Sequence, residues 1–288
     1  MLRDLVEPPE LSTLIQRASL AVVDCRFDLT RPQWGAAAYA AGHIPTAVYA
    51  NLDLDLSGPV SPQSGRHPLP SPEALAATLG RLGIDLNTPV VAYDQGNGAH
   101  AARLWWLLKW VGHRQVAVLD GGFAAWQQEG LPVSADPTVP VAKHFDARPD
   151  STRVVSTEEL RKMLAAGEFQ AGRLGLVDAR GADRFAGQNE TLDPVAGHVP
   201  GARSHPFAGN LDDRGRFLTA AQLRDRWNGT LGAVAPANLI SMCGSGVTAC
   251  HNLLALEVAG MPGARLYAGS WSEWIRDPAR PVATGSHP

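Results

Sequence analysis

Apolar positions along the chain follow two alternating patterns. Short unbroken runs, namely Val22-Val23 before Asp24, Val90-Val91-Ala92-Tyr93, Leu176-Val177 before Asp178 and Leu239-Ile240-Ser241-Met242, have the length and composition of strands buried on both faces. Between them apolar residues recur every three or four positions, as at Leu104, Leu107, Leu108 and Val111, and again at Cys250, Leu253, Leu254 and Val258. That spacing lines one face of a helix. Ser71-Pro72 starts a helix expected to end near Gly83, Ser156 and Glu159 form a capping box for a helix closed by Gly167, and Thr219 starts another. Strands alternating with helices predict an α/β fold with mostly parallel sheets covered by helices on both faces.

The pattern occurs twice. Val22-Val23-Asp24-Cys25-Arg26 matches Leu176-Val177-Asp178-Ala179-Arg180, and Ala41-Gly42-His43-Ile44-Pro45 matches Ala196-Gly197-His198-Val199-Pro200. Gly98 matches Gly246 at the head of an apolar helix, and Gly122-Phe123-Ala124-Ala125-Trp126 matches Ser270-Trp271-Ser272-Glu273-Trp274. Four landmarks in one order, about 150 residues apart, imply a tandem duplication. The prolines 132, 137, 140 and 149 fall in a stretch without helical periodicity, so the boundary is expected near residue 140, giving domains 1–140 and 141–288.

The length of 288 residues also fits two domains, at about 150 residues each. With 45% hydrophobic and 18% charged residues the composition is globular, and no apolar run approaches the roughly 18 residues a membrane span needs. A net charge of −3 argues against nucleic-acid binding, though a local positive pocket for a small anion remains compatible with it. Three cysteines make no disulfide framework, and Met1 to Glu10 carries no apolar signal core; a cytoplasmic, reducing location is expected.

Chemistry is most legible where the copies diverge. In the second copy the strand ends in Cys243-Gly244-Ser245-Gly246-Val247-Thr248; in the first it ends in Asp94-Gln95-Gly96-Asn97-Gly98. Counting back from the shared glycine puts Gln95 opposite Cys243, whereas counting forward from the strand puts Asp94 there. A thiol between a strand end and a helix start occupies the ligand position of open α/β sheets. Gly244 and Gly246 let backbone N–H groups converge on the sulfur, the helix N-terminus adds positive potential, and such surroundings favour thiolate. Cys243 is therefore the expected nucleophile. Cys250 shares the inward helix face and Cys25 occupies the slot of Ala179, so both read as structural, and the paired His43 and His198 read as hydrogen-bonding elements of the fold.

These residues together resemble the two-domain rhodanese-type sulfurtransferases, and the Cys243–Thr248 loop is similar to that of the 3-mercaptopyruvate enzymes. The resemblance covers nearly the whole chain and implies two rhodanese-like domains, the second of which carries a persulfide on Cys243. It also implies that Arg184 binds the donor's carboxylate or sulfonate, that Gly244, Gly246, Val247 and Thr248 frame the donor with their backbone, and that Ser245, His67 and Asp53 form a proton relay. A second arginine, nine residues after Arg184 in the animal enzymes, is Asp193 here, leaving Arg180 or Arg203 as substitutes. Related phosphatases carry an arginine at the end of a longer loop; here the sixth residue after Cys243 is Ala249, which argues against phosphate chemistry.

The implied reaction is a double displacement from a small anionic sulfur donor to a thiol, thioredoxin or cyanide acceptor. Thiosulfate-preferring relatives carry an Arg-Lys pair directly after the cysteine. The neutral Gly244 and Ser245 therefore favour 3-mercaptopyruvate, with thiosulfate second. A noncatalytic persulfide carrier is the reading from another class. No cofactor, metal, membrane or nucleic-acid partner is expected, and a monomer is expected because the halves can satisfy each other.

Overall fold

The computed structural model describes residues 2–17 and 19–287. Its chain divides into two units, one of Met1–Gly58, Leu69–Asp150 and Asp213–Phe217, the other of Pro59–Pro68, Ser151–Asp212 and Leu218–Pro288. The stretch Pro59–Pro68 thus belongs with the second unit although it lies in the first copy's sequence.

In the first unit β1 (Leu5–Val6), α1 (Pro8–Arg17), β2 (Ala21–Asp24), α2 (Trp34–Ala41) and β3 (Val48–Tyr49) precede α3 (Pro72–Arg81), β4 (Val90–Tyr93), α4 (Ala99–Trp110), β5 (Val116–Leu119) and α5 (Gly122–Gln128). The strands form a parallel sheet in the order β1-β5-β4-β2-β3. The second unit contains α6 (Thr157–Ala165), β6 (Gly175–Asp178), α7 (Ala182–Phe185), β7 (Ala202–Ser204), α8 (Ala220–Leu231), β8 (Leu239–Met242), α9 (Thr248–Val258), β9 (Arg265–Leu266) and α10 (Ser270–Trp274). Its parallel sheet runs β7-β6-β8-β9, and where β1 meets β5 in the first unit, Val154 makes a single parallel bridge to Leu266. The central strands β4 and β8 are buried along their whole length, as unbroken apolar runs require. None of the described helices is long and apolar enough to cross a membrane.

The repeated motifs are explained by each other. Arg26 grips the Asp24 carboxylate through Nε and Nη2, and its Nη2 also donates to the carbonyl of Gly42 at 2.7 Å, while Arg180 does the same with Asp178 and Gly197. Each guanidinium lies over an aromatic ring, Phe123 or Trp271. A buried charge is tolerable only when paired and hydrogen-bonded this fully, so the Asp-x-Arg strand end and the Gly-His-x-Pro turn belong to one device. His43 and His198 stack on Tyr39 and Phe185, and each Nδ1 donates to a carbonyl, of Tyr39 or Phe185, at 2.8 Å. Trp126 and Trp274 are buried, each donating its indole N–H to a proline carbonyl, Pro132 or Pro281. Truncating such a tryptophan to alanine typically costs about 3–5 kcal/mol, which is reason enough for its recurrence.

The capping signals operate as read. Ser156 and Thr219 each cap through a reciprocal box, with Glu159 and Gln222. The helix begun at Ser71-Pro72 stops at Arg81, two residues before Gly83, which takes φ +76° beyond the last turn.

Candidate active site

The strand-to-helix turn after β4 shows what this backbone binds. The Asp94 carboxylate accepts four backbone N–H groups, from Gly96 and Gly98 at 3.0 Å each, His100 at 2.9 Å and Ala101 at 3.3 Å. It is a ready-made anion nest at the head of α4 with a carboxylate built into it. After β8 the same place is taken by Cys243. The carbonyls of Asp94 and Cys243 accept from Phe123 N–H and Trp271 N–H, and those of Gln95 and Gly244 from Ala124 and Ser272. Asp94 is therefore the counterpart of Cys243. The first-copy turn is one residue longer before its positive-φ glycine, Gly98 at +75° against Gly246 at +79°, so each way of counting is correct at one end.

Cys243 is 2% exposed, and its Sγ accepts the Gly246 N–H at 3.1 Å. Its own N–H donates to Ser270 Oγ at 3.0 Å, and that hydroxyl donates to the Tyr267 carbonyl at 2.9 Å. Ser270 holds φ +53°, where the first copy uses Gly122 at +56°. A non-glycine residue in this region costs about 1–2 kcal/mol, and the second copy bears that strain where a hydroxyl accepts the Cys243 N–H. Sequence reasoning passed over Ser270; the signal was a serine standing opposite a glycine in the duplicated turn. Cys250 Sγ donates to the Gly246 carbonyl at 3.3 Å from inside α9, and Cys25 is buried, its thiol pushed well up by burial and by the carboxylates of Asp24, Asp94 and Asp55. Val247 and Thr248 carry the loop into α9.

Ser245 and His67 are both buried, with Ser245 Oγ 2.7 Å from His67 Nδ1. His67 lies in the stretch that packs with the second unit, so this pair forms within one unit. Asp53 belongs to the other unit, exposed in a turn where its N–H donates to Asn51 Oδ1 at 2.8 Å.

Cations gather at the loop. Arg184 reaches within 3.7 Å of the point that a Cβ on Gly244 would occupy, and it is gripped by both oxygens of Glu190. Burial works against the Glu190 carboxylate, but Arg184 and the N–H groups of Leu192 and Asp193 outweigh it and hold its pKa below the ordinary range. Neither substitute for the missing second arginine is available. Arg180 is committed to Asp178 and Gly197, with Nη1 on Glu190 at 3.3 Å, and Arg203 donates to the carbonyls of Thr230 and Leu231 at the end of α8. Arg66, the sequence neighbour of His67, is a residue the sequence pattern does not single out, and its Nη2 lies 2.9 Å from that same point above Gly244. Gly65 was the available signal, because a side chain there would press on the Gly269 carbonyl at 2.7 Å.

Comparisons with known proteins give the family. The rhodanese-like domain profile matches residues 7–129 and 156–277. A Pseudomonas aeruginosa protein named "Probable 3-mercaptopyruvate sulfurtransferase" is 47% identical over 283 residues, covering 98% of each chain. The Gallus gallus "Thiosulfate sulfurtransferase" is 34% identical over 262 residues, covering 90% of this chain and 87% of the relative. Among solved structures, a 3-mercaptopyruvate sulfurtransferase from Leishmania major superposes with a TM-score of 0.85 at 30% identity, covering 96% of this chain and 76% of that one. With two matched domains spanning most of its length, the chain belongs to the rhodanese-like family.

Proposed function

We propose that the protein is a sulfurtransferase that takes sulfur from 3-mercaptopyruvate onto Cys243 and passes it to a thiol, thioredoxin or cyanide. The observation that carries this reading is the Cys243 sulfur receiving the Gly246 N–H in a turn whose first-copy counterpart holds a carboxylate with four such groups. A turn that gathers four backbone N–H groups on a carboxylate in one copy suits a thiolate, and then a persulfide anion, in the other.

The Cys243 thiolate attacks the donor sulfur; an S–S bond forms, the C–S bond breaks, and its electron pair leaves with carbon as pyruvate enolate. The enolate takes a proton to become pyruvate. Ser245 hydrogen-bonded to His67 is the relay assigned to that proton. In the second half an acceptor attacks the outer sulfur and Cys243 leaves as thiolate. In this division of labour the N-terminal copy, 1–140, lacks the nucleophile and the C-terminal copy, 141–288, carries it. Three free cysteines and a thiol nucleophile fit a reducing cytoplasm, and a single chain supplies every group named.

Arg66 and Arg184 face Glu190 and Asp193, so these four charges balance and the thiolate is left as the excess. A dianion is repelled by it more than a monocarboxylate, at about 1 kcal/mol per unit-charge pair 4 Å apart in water and more in a drier site. Thiosulfate is accordingly the second donor. The test is intact mass after incubation with 3-mercaptopyruvate: the protein gains one sulfur atom, Cys243→Ser does not, and kcat/KM exceeds that for thiosulfate. A mass unchanged in the unsubstituted protein, or a clear thiosulfate preference, overturns the assignment.

A further inference from the structure

The position where a second donor-binding arginine is implied holds an acid, and the structure shows what that acid does. Asp193 is 3% exposed and pairs with Arg66 Nη1, while its other oxygen accepts from Arg184 Nη2 at 3.2 Å. One carboxylate thus aligns two guanidinium groups, and their Nη2 ends converge over Gly244, at 2.9 Å for Arg66 and 3.7 Å for Arg184 from the same point. Arg66 is fixed from behind as well. Its N–H donates to Ser272 Oγ at 3.1 Å, and the preceding Ser64 carbonyl accepts from Arg276 Nε at 3.1 Å.

Two features separate this arrangement from an ordinary surface ion pair. The Arg66 side chain is 24% exposed, yet its Nε is buried and has no hydrogen-bond partner among the described residues. A buried donor on a charged group is costly to leave unmade, and a bound oxyanion beside it removes that cost. Arg66 also stands next to His67 in sequence, and its Nη2 lies over Gly244, the residue after Cys243, so an anion held there adjoins both the loop and the His67–Ser245 pair.

The geometry points to Arg66 as the second cation of the donor site: with Arg184 it grips the carboxylate of a 2-oxo acid donor, and Asp193 is the positioning residue for both. The cation absent from position 193 is supplied from a segment more than a hundred residues earlier. This inference rests on the sulfurtransferase reading, and its test separates the two.

Steady-state kinetics with 3-mercaptopyruvate are measured for Arg66→Gln, Arg66→Lys and the double variant Arg66→Gln/Asp193→Arg, with dithiothreitol, a neutral acceptor, discharging the preloaded persulfide. Arg66→Gln raises KM about 10- to 100-fold, as loss of a charge-assisted pair does. It leaves discharge by dithiothreitol within about twofold, because uniform binding to the donor carboxylate is all that is lost. Arg66→Lys, which keeps the charge without the planar fork, falls between, and the double variant recovers much of the lost affinity. An unchanged KM in Arg66→Gln overturns the proposal, as does an equal loss in both half-reactions, the mark of a merely structural residue. Should the unsubstituted enzyme not turn over 3-mercaptopyruvate, the donor reading falls by itself. Pyruvate titrated into Cys243→Ser with and without Arg66→Gln then decides: weaker binding without Arg66 supports the carboxylate role, and equal or absent binding refutes it.

Discussion

Gly246 and Gly244 flank Ser245 in the same turn, yet adding one methyl to each should have opposite consequences. Gly246 has φ +79°, so alanine there incurs about 1–2 kcal/mol of left-handed strain. Its Cβ would also overlap the Ala268 carbonyl oxygen and stand 3.0 and 3.1 Å from the Ala268 Cα and carbonyl carbon. Those atoms are backbone between β9 and α10 and cannot rotate away; overpacking of this kind adds about 1–3 kcal/mol. Gly246→Ala should therefore cost about 2–5 kcal/mol in the unit that carries it, or ~5–15 °C in its melting temperature. It should also slow persulfide formation, because the N–H that moves is the one donated to Cys243 Sγ. Gly244 has no positive φ, and a Cβ there first meets the mobile end of Arg66 at 2.9 Å. Gly244→Ala should change stability by less than about 1 kcal/mol while raising KM for the donor. Differential scanning calorimetry, with the two units allowed separate transitions, and stopped-flow sulfur loading measure both. A Gly246→Ala protein that melts and reacts like its parent would refute the account of the turn, as would a Gly244→Ala protein that melts lower than Gly246→Ala.

Ser245→Ala and His67→Asn should each reduce persulfide formation from 3-mercaptopyruvate by about 10²–10⁴, the usual worth of a positioned proton donor, and leave discharge by cyanide nearly unchanged; rapid-quench analysis of the two half-reactions tests this. Ser270→Gly removes about 1–2 kcal/mol of φ strain and two hydrogen bonds of about 1 kcal/mol each, so its melting temperature should stay near the parent's while sulfur loading slows. The Glu190 carboxyl has its pKa held below the ordinary value of 4.5, so its contribution to stability is complete above that value and is lost as pH falls through the folded pKa. The melting temperature of Glu190→Gln should accordingly lie below the parent's at pH 7 and converge with it on acidification below about pH 4.5, followed by circular dichroism. Cys25→Ala, which installs the residue the second copy uses at Ala179, should leave turnover within about twofold, as activity assays would show.

What could be read along the chain was whatever depends on near neighbours. The four central strand runs, the Ser156 capping box, the helix start at Thr219 and the duplicated motifs rest on periodicity or on groups a few residues apart, and β4 and β8 coincide with their apolar runs. The exchange of Pro59–Pro68 into the second unit was not legible, because nothing local reports that Gly65 packs under Gly269 or that Arg66 pairs with Asp193. For the same reason nothing along the chain reports that Arg66 and Arg184 share Asp193, whereas Arg180 and Arg203 stand beside the repeated motifs.

The duplication supplies an internal comparison for the nucleophile. Both turns curl the backbone through a positive-φ glycine at the head of a buried helix, and both anchor the carbonyl of the residue at the strand end, Asp94 or Cys243, on the N–H of Phe123 in α5 or Trp271 in α10. In the first copy the N–H groups are consumed by the Asp94 side chain, which leaves none of these four for a ligand, and Gly122 allows the supporting turn to relax. In the second, replacing the carboxylate by the shorter, polarisable thiol of Cys243 and the glycine by Ser270 turns a self-satisfied nest into one that must be completed by an anion formed on sulfur. The two copies thus differ by two side-chain exchanges and one shortened loop on a backbone built to hold negative charge, and the left-handed φ of Ser270 stands where the first copy has Gly122.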